Sequence, residues 1–502
     1  MPHETTPPPA TIPPTDTPPH ATVPPTDTPP RALVPSTDTP PRALVPPIDT
    51  AAPAGTVPPN HAALVRQAVR VLVANWERGH TVPSRRLYPH QWSWDSAFIT
   101  IGNARWSPRR ARSELLTLFG AQWRDGRVPH IVFNPDVPES AYFPGPGFWD
   151  VRAPCGAATS GIVQPPVHAP AAWRVYLADP DRAFLRRIYP RLVAQQEFLR
   201  TARRSPEGLL SIVHPWESGM DNSPAWDVPL AAVDPGPLHV ERRDLAHVSA
   251  DERPTDRDYA RYTALALAYR DTGYLRAGAF AVQDPLFNAA YGAAEAALAK
   301  IAAACGLDPA PHHREAARMT AAMVEHLYAD GLFHARDALT GRLLRSNSAA
   351  GLVPLILPDL PRDIAGALIG TALGRFQFER GGLLPSFAPG TPEYDPARYW
   401  RGPSWLNLTW LVWQGLRHRR PDLAASLAEG MIRAVAHAGM REYFDPITLE
   451  GHGCLDFSWS AALFLDVVAQ HGLEGVAAPR GQVAEKSGSL TEVHDVGDHV
   501  LA

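Results

Sequence analysis

The chain has 502 residues, 45% hydrophobic and 20% charged, with a formal net charge of -4. That size suits one large domain or two ordinary ones, and the composition allows a proper core. A near-neutral balance without a long basic block argues against nucleic acid or an anionic membrane surface as the main partner.

The first segment is a degenerate eleven-residue repeat: TPPPATIPPTD (6–16), TPPHATVPPTD (17–27), TPPRALVPSTD (28–38) and TPPRALVPPID (39–49). Proline at this density blocks helix and sheet, so residues 1–57 are predicted to be a disordered, polyproline-biased tail. The opening MPHETTPPPA has no basic and apolar leader pattern. No apolar run approaches the roughly 18 residues that a membrane span needs. Cys155, Cys305 and Cys454 are too far apart for a disulfide framework or a CxxC zinc site. A cytoplasmic protein without metal or other cofactor is expected.

From about residue 58 the signal turns helical. HAALVRQAVRVLVANWERG (61–79), ARSELLTLFGAQWRDG (111–126), RAFLRRIYPRLVAQQEFLRTARR (182–204), ARYTALALAYRDTGY (260–274), FNAAYGAAEAALAKIAAACG (287–306) and PDLAASLAEGMIRAVAHAG (421–439) carry apolar residues at three-and-four spacing. Alternating strand runs with hairpin turn pairs are scarce. The periodicity predicts an all-α domain over residues 58–478, followed by a loose polar tail over 479–502.

Between the helices lie loops rich in Pro, Gly and Trp. Eight of the fourteen tryptophans fall in clusters: Trp92 with Trp94, Trp216 with Trp226, Trp400 with Trp405, Trp410 with Trp413. Paired aromatics beside carboxylates suit a sugar, whose C–H faces stack on rings while its hydroxyls meet polar side chains. In LYPHQWSWDSAFITIG (87–102), Asp95 could cap a helix, but Tyr88, Trp92 and Trp94 around it point to a sugar-hydroxyl acceptor. The Pro- and Gly-broken stretch 122–150 reads as a binding loop whose part 134–149 forms a lid. Gln164 is a lone polar residue in TSGIVQPP.

HPWESGMDNSPAWD (214–227) sets Glu217 and Asp221 four residues apart among two tryptophans. An apolar wall raises a carboxyl pKa, which suits a general acid. Two carboxylates so close in the chain do not easily flank one bond, so the partner should come from elsewhere. The segment 441–468 offers Glu442, Asp445, Glu450 and Asp456, with Glu450 heading the EGHG turn and Glu442 its rival. YWRGPSWLNLTWLVW (399–413) adds aromatics around one cation, Arg401.

Together, WDSAF (94–98), GxxPHI (126–131), WESGxDNSP (216–224), ERPTDxxYxRY (252–262), YWRGPSW (399–405) and EYFDPxTxEGxG…FSWxAAL (442–463) resemble, in order, the glycoside hydrolases related to trehalases and to mannosylglycerate and glucosylglycerate hydrolases. The resemblance implies an (α/α)6 barrel and an inverting α-glycosidase. It makes Asp221 the general acid. It favours Glu450 over Glu442 as base, because the trehalase base precedes the Trp of its GFGW motif by nine residues, as Glu450 precedes Trp459. It places Trp94, Asp95, Gln164 and Trp405 around the sugar. Tyr88, Trp216, Tyr399, Trp400, Arg253 and Tyr259 fall on the aglycone side. A glycerate carboxylate could be met by Arg253, Arg401 and Tyr399. The trehalase glycine run before the base is absent, which shifts the expected substrate from trehalose to a small glycerate glycoside. A trehalase or oligosaccharide α-glucosidase, a sugar epimerase and a non-catalytic sugar-binding protein are the other readings. The oligomeric state is not legible.

Overall fold

The computed structural model describes residues His61 to His471. The predicted tails at 1–57 and 479–502, and the outermost residues of the predicted 58–478 domain, lie outside the described residues. Helices dominate: α1 (His61–Ala74), α2 (Ser93–Trp106), α3 (Pro108–Gly120), α4 (Pro146–Trp149), α5 (His168–Ala178), α6 (Arg182–Ala202), α7 (Asp227–Ala231), α8 (Asp256–Asp271), α9 (Pro285–Cys305), α10 (Ala310–Leu327), α11 (Arg362–Gly374), α12 (Leu406–Leu416), α13 (Pro421–Ala438) and α14 (Ser458–His471). Strands among the described residues are two or three residues long and pair antiparallel within the loops.

Each of the six predicted helical stretches holds a helix, and local chemistry marks several starts. The Asp181 carboxylate accepts from the Ala183 and Phe184 N–H groups to open α6. Thr255 and Asp258 form a reciprocal capping box at α8, and Asp284 accepts from the Phe287 N–H at α9. Such caps satisfy N–H groups that the first helical turn leaves orphaned, each worth about 1 kcal/mol.

Packing sorts the longer helices into two sets. α2, α5, α9, the 3-10 segment Ala349–Ile356, α12 and α14 touch in that order, and α14 returns to α2, closing a cycle. α3, α6, α10, α11, α13 and α1 pack outside these elements. The sets bury differently. α2 buries twelve of its fourteen residues and α12 ten of eleven, whereas α1 buries four of fourteen. On α1 these are Val65, Ala68, Val71 and Leu72, one apolar stripe of the kind that gives a helical period. The α2–α14 contact depends on Gly102, where a Cβ would lie 2.3 Å from the Ala462 backbone. The helix cost of a glycine, about 1 kcal/mol against alanine, is offset there by backbone-level approach.

Three inner elements share an orientation that fixes the site. α2 carries Trp94 and Asp95 in its first turn, α12 begins directly after Trp405, and α14 begins at Ser458 and Trp459. All four of Trp94, Asp95, Trp405 and Trp459 line one cavity.

Candidate active site

The cavity lies where the loops leading into the inner helices meet. Asp221 and Glu442 both line it, with Tyr88, Arg253, Tyr259 and Tyr399 between them. The aromatic wall is tightly built. Trp400 and Trp405 stack at 3.8 Å and 6°, and the Trp405 indole N–H donates to the Tyr399 carbonyl at 2.9 Å. The Asn222 side-chain oxygen accepts from the Trp400 backbone N–H at 2.9 Å, tying this wall to the Asp221 turn.

That turn is set by Gly219, in the left-handed region at φ 73°, where a Cβ would fall 2.3 Å from the Trp94 ring. Any side chain here would displace the tryptophan or the turn, so Asp221 owes its place to that glycine. The Trp226 indole N–H and the Tyr262 hydroxyl both donate to the Asp221 carbonyl, at 2.9 and 3.0 Å. Its carboxyl, by contrast, has no side-chain hydrogen-bond donor among the described residues. Burial pushes the Asp221 pKa up to about 7, opposed by the Arg253 guanidinium and its own backbone N–H, and reinforced by the Glu442 charge. Some surface remains on Asp221 because its carboxyl faces the cavity. A carboxylic acid poised near neutrality can donate a proton to a leaving oxygen.

Glu442 is held differently. It precedes the strand Tyr443–Phe444, which pairs with Gly451–His452 in a hairpin. The Tyr88 hydroxyl donates to one carboxylate oxygen at 2.8 Å and the Cys454 backbone N–H to the other at 3.0 Å. Arg253 Nη1 stands 3.6 Å away. Burial at 1% exposure pushes the Glu442 pKa up, but Arg253 and these two donors hold it back. Asp95 is another buried acid of the cavity; burial, with Glu442, Glu114 and Asp221 nearby, raises it well above the usual range despite its own backbone N–H.

Arg253 organises the far side. Its Nη2 donates to the Tyr88 hydroxyl at 2.9 Å, its Nε to Asp244 at 3.3 Å, and its guanidinium covers the Tyr399 ring at 4.2 Å. Nη1 is buried without a hydrogen-bond partner. Tyr259 donates to the same Asp244 oxygen at 3.1 Å. Beyond its 3.6 Å ion-pair contact with Glu442, Nη1 keeps N–H groups free of hydrogen bonds, which suits an anionic oxygen. Among the described residues no three His, Cys, Asp or Glu side chains group to hold a metal ion, and no helix is long and apolar enough to cross a membrane.

Residues 88–460 match the family model for the mannosylglycerate hydrolase MGH1-like glycoside hydrolase domain. The chain belongs to this glycoside hydrolase family. A mannosylglycerate hydrolase of Thermus thermophilus is 41% identical over 414 residues, 80% of this chain and 99% of its own. A glucosylglycerate hydrolase of Mycolicibacterium hassiacum is 37% identical over 438 residues, 80% and 97% respectively. The crystal structure of a family 63 mannosylglycerate hydrolase from Thermus thermophilus, in complex with Tris and D-glycerate, is similar with a TM-score of 0.76 at 40% identity, covering 80% of this chain and 99% of that one.

In this glycoside hydrolase the cavity gathers Asp221, Tyr88, Trp94, Asp95, Gln164, Trp216, Arg253, Tyr259, Tyr399, Trp400 and Trp405, all singled out in the sequence. Two predicted residues fall elsewhere. Glu450 is exposed at the end of the hairpin turn, outside the cavity lining, because the turn between the paired strands carries it to solvent. Arg401 points away to Asp227, 2.5 Å from its Nη2. Glu217, the alternative acid, is a buried anchor. It pairs with Arg203 at 2.7 Å and accepts from the Val163 and Val213 N–H groups, which fixes the Gln164 loop beside it. Gln164 in turn accepts from the Trp94 N–H at 3.1 Å.

Several cavity residues escaped sequence reasoning. Tyr142 and Phe143 belong to the expected lid, but nothing singled them out individually. His130 sits in the PHI motif, and strand pairing of Trp92 with Ile131 brings its ring to 4.5 Å from Trp92. The VERRD stretch, Val240–Asp244, also lines the cavity. Its only signal was two arginines between two acids, which reads as an ordinary surface.

Proposed function

We propose that this glycoside hydrolase cleaves a small α-glycoside of glycerate with inversion, using Asp221 as general acid and Glu442, rather than Glu450, as general base. The observation that carries the reading is the pair of unlike carboxyls in one cavity. One lacks donors and is poised near pH 7; the other is clasped by a hydroxyl, an N–H and a guanidinium.

Protonated Asp221 gives its proton to the glycosidic oxygen while Glu442 takes one from water attacking the opposite face of the ring. The sugar sits against Trp94 and Trp405, with Asp95 and Gln164 as hydroxyl partners and Trp216 and Trp400 on the aglycone side. Arg253, with Tyr88, Tyr259 and Tyr399 around it, receives the aglycone carboxylate on the unspent Nη1 edge. The relatives named for glycerate glycosides support that aglycone. The small interior, ≈ 80 Å³, supports a small glycoside over an oligosaccharide. We read the closed cycle of inner elements and its outer layer as an (α/α)6 barrel. The lid role of residues 134–149 rests on Tyr142 and Phe143 reaching the cavity.

Proton NMR of the full chain with mannosylglycerate, glucosylglycerate and trehalose tests the reading. The expected result is β-sugar released first from a glycerate glycoside and not from trehalose. First release of the α-anomer, or hydrolysis of trehalose alone, would overturn it.

A further inference from the structure

The opposite ends of the same inner helices enclose a second cavity of ≈ 570 Å³, within the size range of small-molecule sites. Arg105 comes from the last turn of α2, Gln414 from that of α12, Gln470 from that of α14, and Arg174 from α5. The catalytic cavity lies at the starts of α2, α12 and α14, about ten residues or ~15 Å away along each helix. The two cavities are therefore separate.

Five cations line the second cavity, Arg105, Arg174, Lys300, Arg417 and Arg419, and among the described residues no carboxylate does. Their partners account for some of this charge. Asp466, behind the wall, accepts from Arg105 at 2.8 Å, from the Trp410 indole N–H at 2.8 Å and from Gln470 at 2.5 Å. Arg419 spends its N–H groups on the Leu355, Gly415 and Leu357 carbonyls. Arg417 donates to Gln470 and covers the Trp413 ring at 5.1 Å.

Arg174 is the exception. Its guanidinium lies over the Trp410 ring at 4.9 Å, with no hydrogen bond or ion pair among the described residues. Burial and the nearby Arg105 and Arg417 charges lower its pKa, with Asp466 opposing. The Gln414 amide nitrogen is likewise buried without a partner. Like charges gathered around an open volume repel one another unless an anion lies among them. Guanidinium groups with free N–H edges suit the several oxygens of a phosphate.

We propose that this cavity binds a small, multiply charged phosphate-type anion, gripped by Arg174 with Arg105 and Arg417 and met at the rim by the exposed Lys300. The site is independent of the catalytic reading above.

Isothermal titration of the full chain with inorganic pyrophosphate, against chloride at matched ionic strength, tests it. Saturable binding is expected in the native protein and in Arg253→Gln, which removes the anion receptor of the other cavity. Arg174→Gln should weaken binding about tenfold or more, the scale of one charge-assisted hydrogen bond, while glycoside hydrolysis persists. If Arg174→Gln does not fold, Lys300→Gln on the exposed rim carries the test, with binding weakened a few-fold. A hexose phosphate that binds more tightly than pyrophosphate would identify a phosphorylated metabolite as the occupant; the reverse order would identify an inorganic polyphosphate. No saturable binding, equal binding in both cavity variants, or loss of binding in Arg253→Gln alone would each overturn the proposal.

Discussion

The Asp221 turn and the Glu442 hairpin face one cavity, yet they treat their carboxyls in opposite ways. The turn spends its hydrogen bonds on the Asp221 carbonyl, through Trp226 and Tyr262, and leaves the carboxyl to the aromatic wall. The hairpin directs donors at the Glu442 carboxylate itself, from Tyr88 and Cys454, with Arg253 alongside. Burial alone raises the pKa of both groups. Hydrogen bonding from other residues to the charged form favours ionisation of Glu442 alone, and the proposed roles of acid and base rest on that difference.

Removing either carboxyl should break the contrast most severely. Asp221→Asn and Glu442→Gln are each expected to lower kcat by about 10²–10⁴-fold, measured on a glycerate glycoside. Next in size is Tyr88→Phe, which removes one clasp from Glu442. The base then protonates more readily, so the acidic limb of the kcat/KM profile should move to higher pH, with a rate loss of roughly tenfold. Arg253→Gln sharpens the test because its charge lowers both pKa values. Both limbs of the bell should move to higher pH together; movement of one limb alone would mean that the guanidinium serves a single carboxyl.

A smaller effect concerns stability. The Asp221 pKa is raised in the fold to about 7 from an ordinary 3.8. The folded state therefore prefers the protonated acid. The cost of ionising it is absent below about pH 4, grows up to about pH 7 and is complete above that. Asp221→Asn should raise the melting temperature at pH 8, by at most about 4 kcal/mol of stability, and leave it unchanged at pH 4. Thermal melts at the two pH values would show this. The smallest effect is expected from Glu450→Gln, whose exposed side chain lies outside the cavity; its activity should stay within about twofold of the native enzyme.

How much of this was legible in the chain differs from element to element. α1 and α13 show themselves because one face is buried and the other wet, which leaves a period in the sequence. α2 and α12 are buried nearly all round, so their residues carry no such period, and only WDSAF hinted at where α2 begins. The place of Asp221 in the cavity was legible, because the resemblance singled it out over Glu217 in a turn of glycine and tryptophans. The proposed base was not. Counting back from Trp459 assumes that no element intervenes, and the hairpin Tyr443–His452 intervenes. It moves Glu450 to solvent and leaves Glu442 at the root, where strand pairing brings Cys454 opposite. Arg401 misled for a related reason: a cation amid aromatics looks like a ligand receptor until a partner from another loop, Asp227, is seen beside it. The VERRD segment was silent because the groups that give it meaning, Arg253 and Tyr259, come from α8 and the turn before it.

The most direct test of the central claim is kcat/KM for Glu442→Gln and Glu450→Gln side by side, on the glycerate glycoside that the native enzyme cleaves. The account predicts a fall of about a hundredfold or more for Glu442→Gln and a value close to native for Glu450→Gln. Near-native hydrolysis by Glu442→Gln together with loss in Glu450→Gln would contradict it.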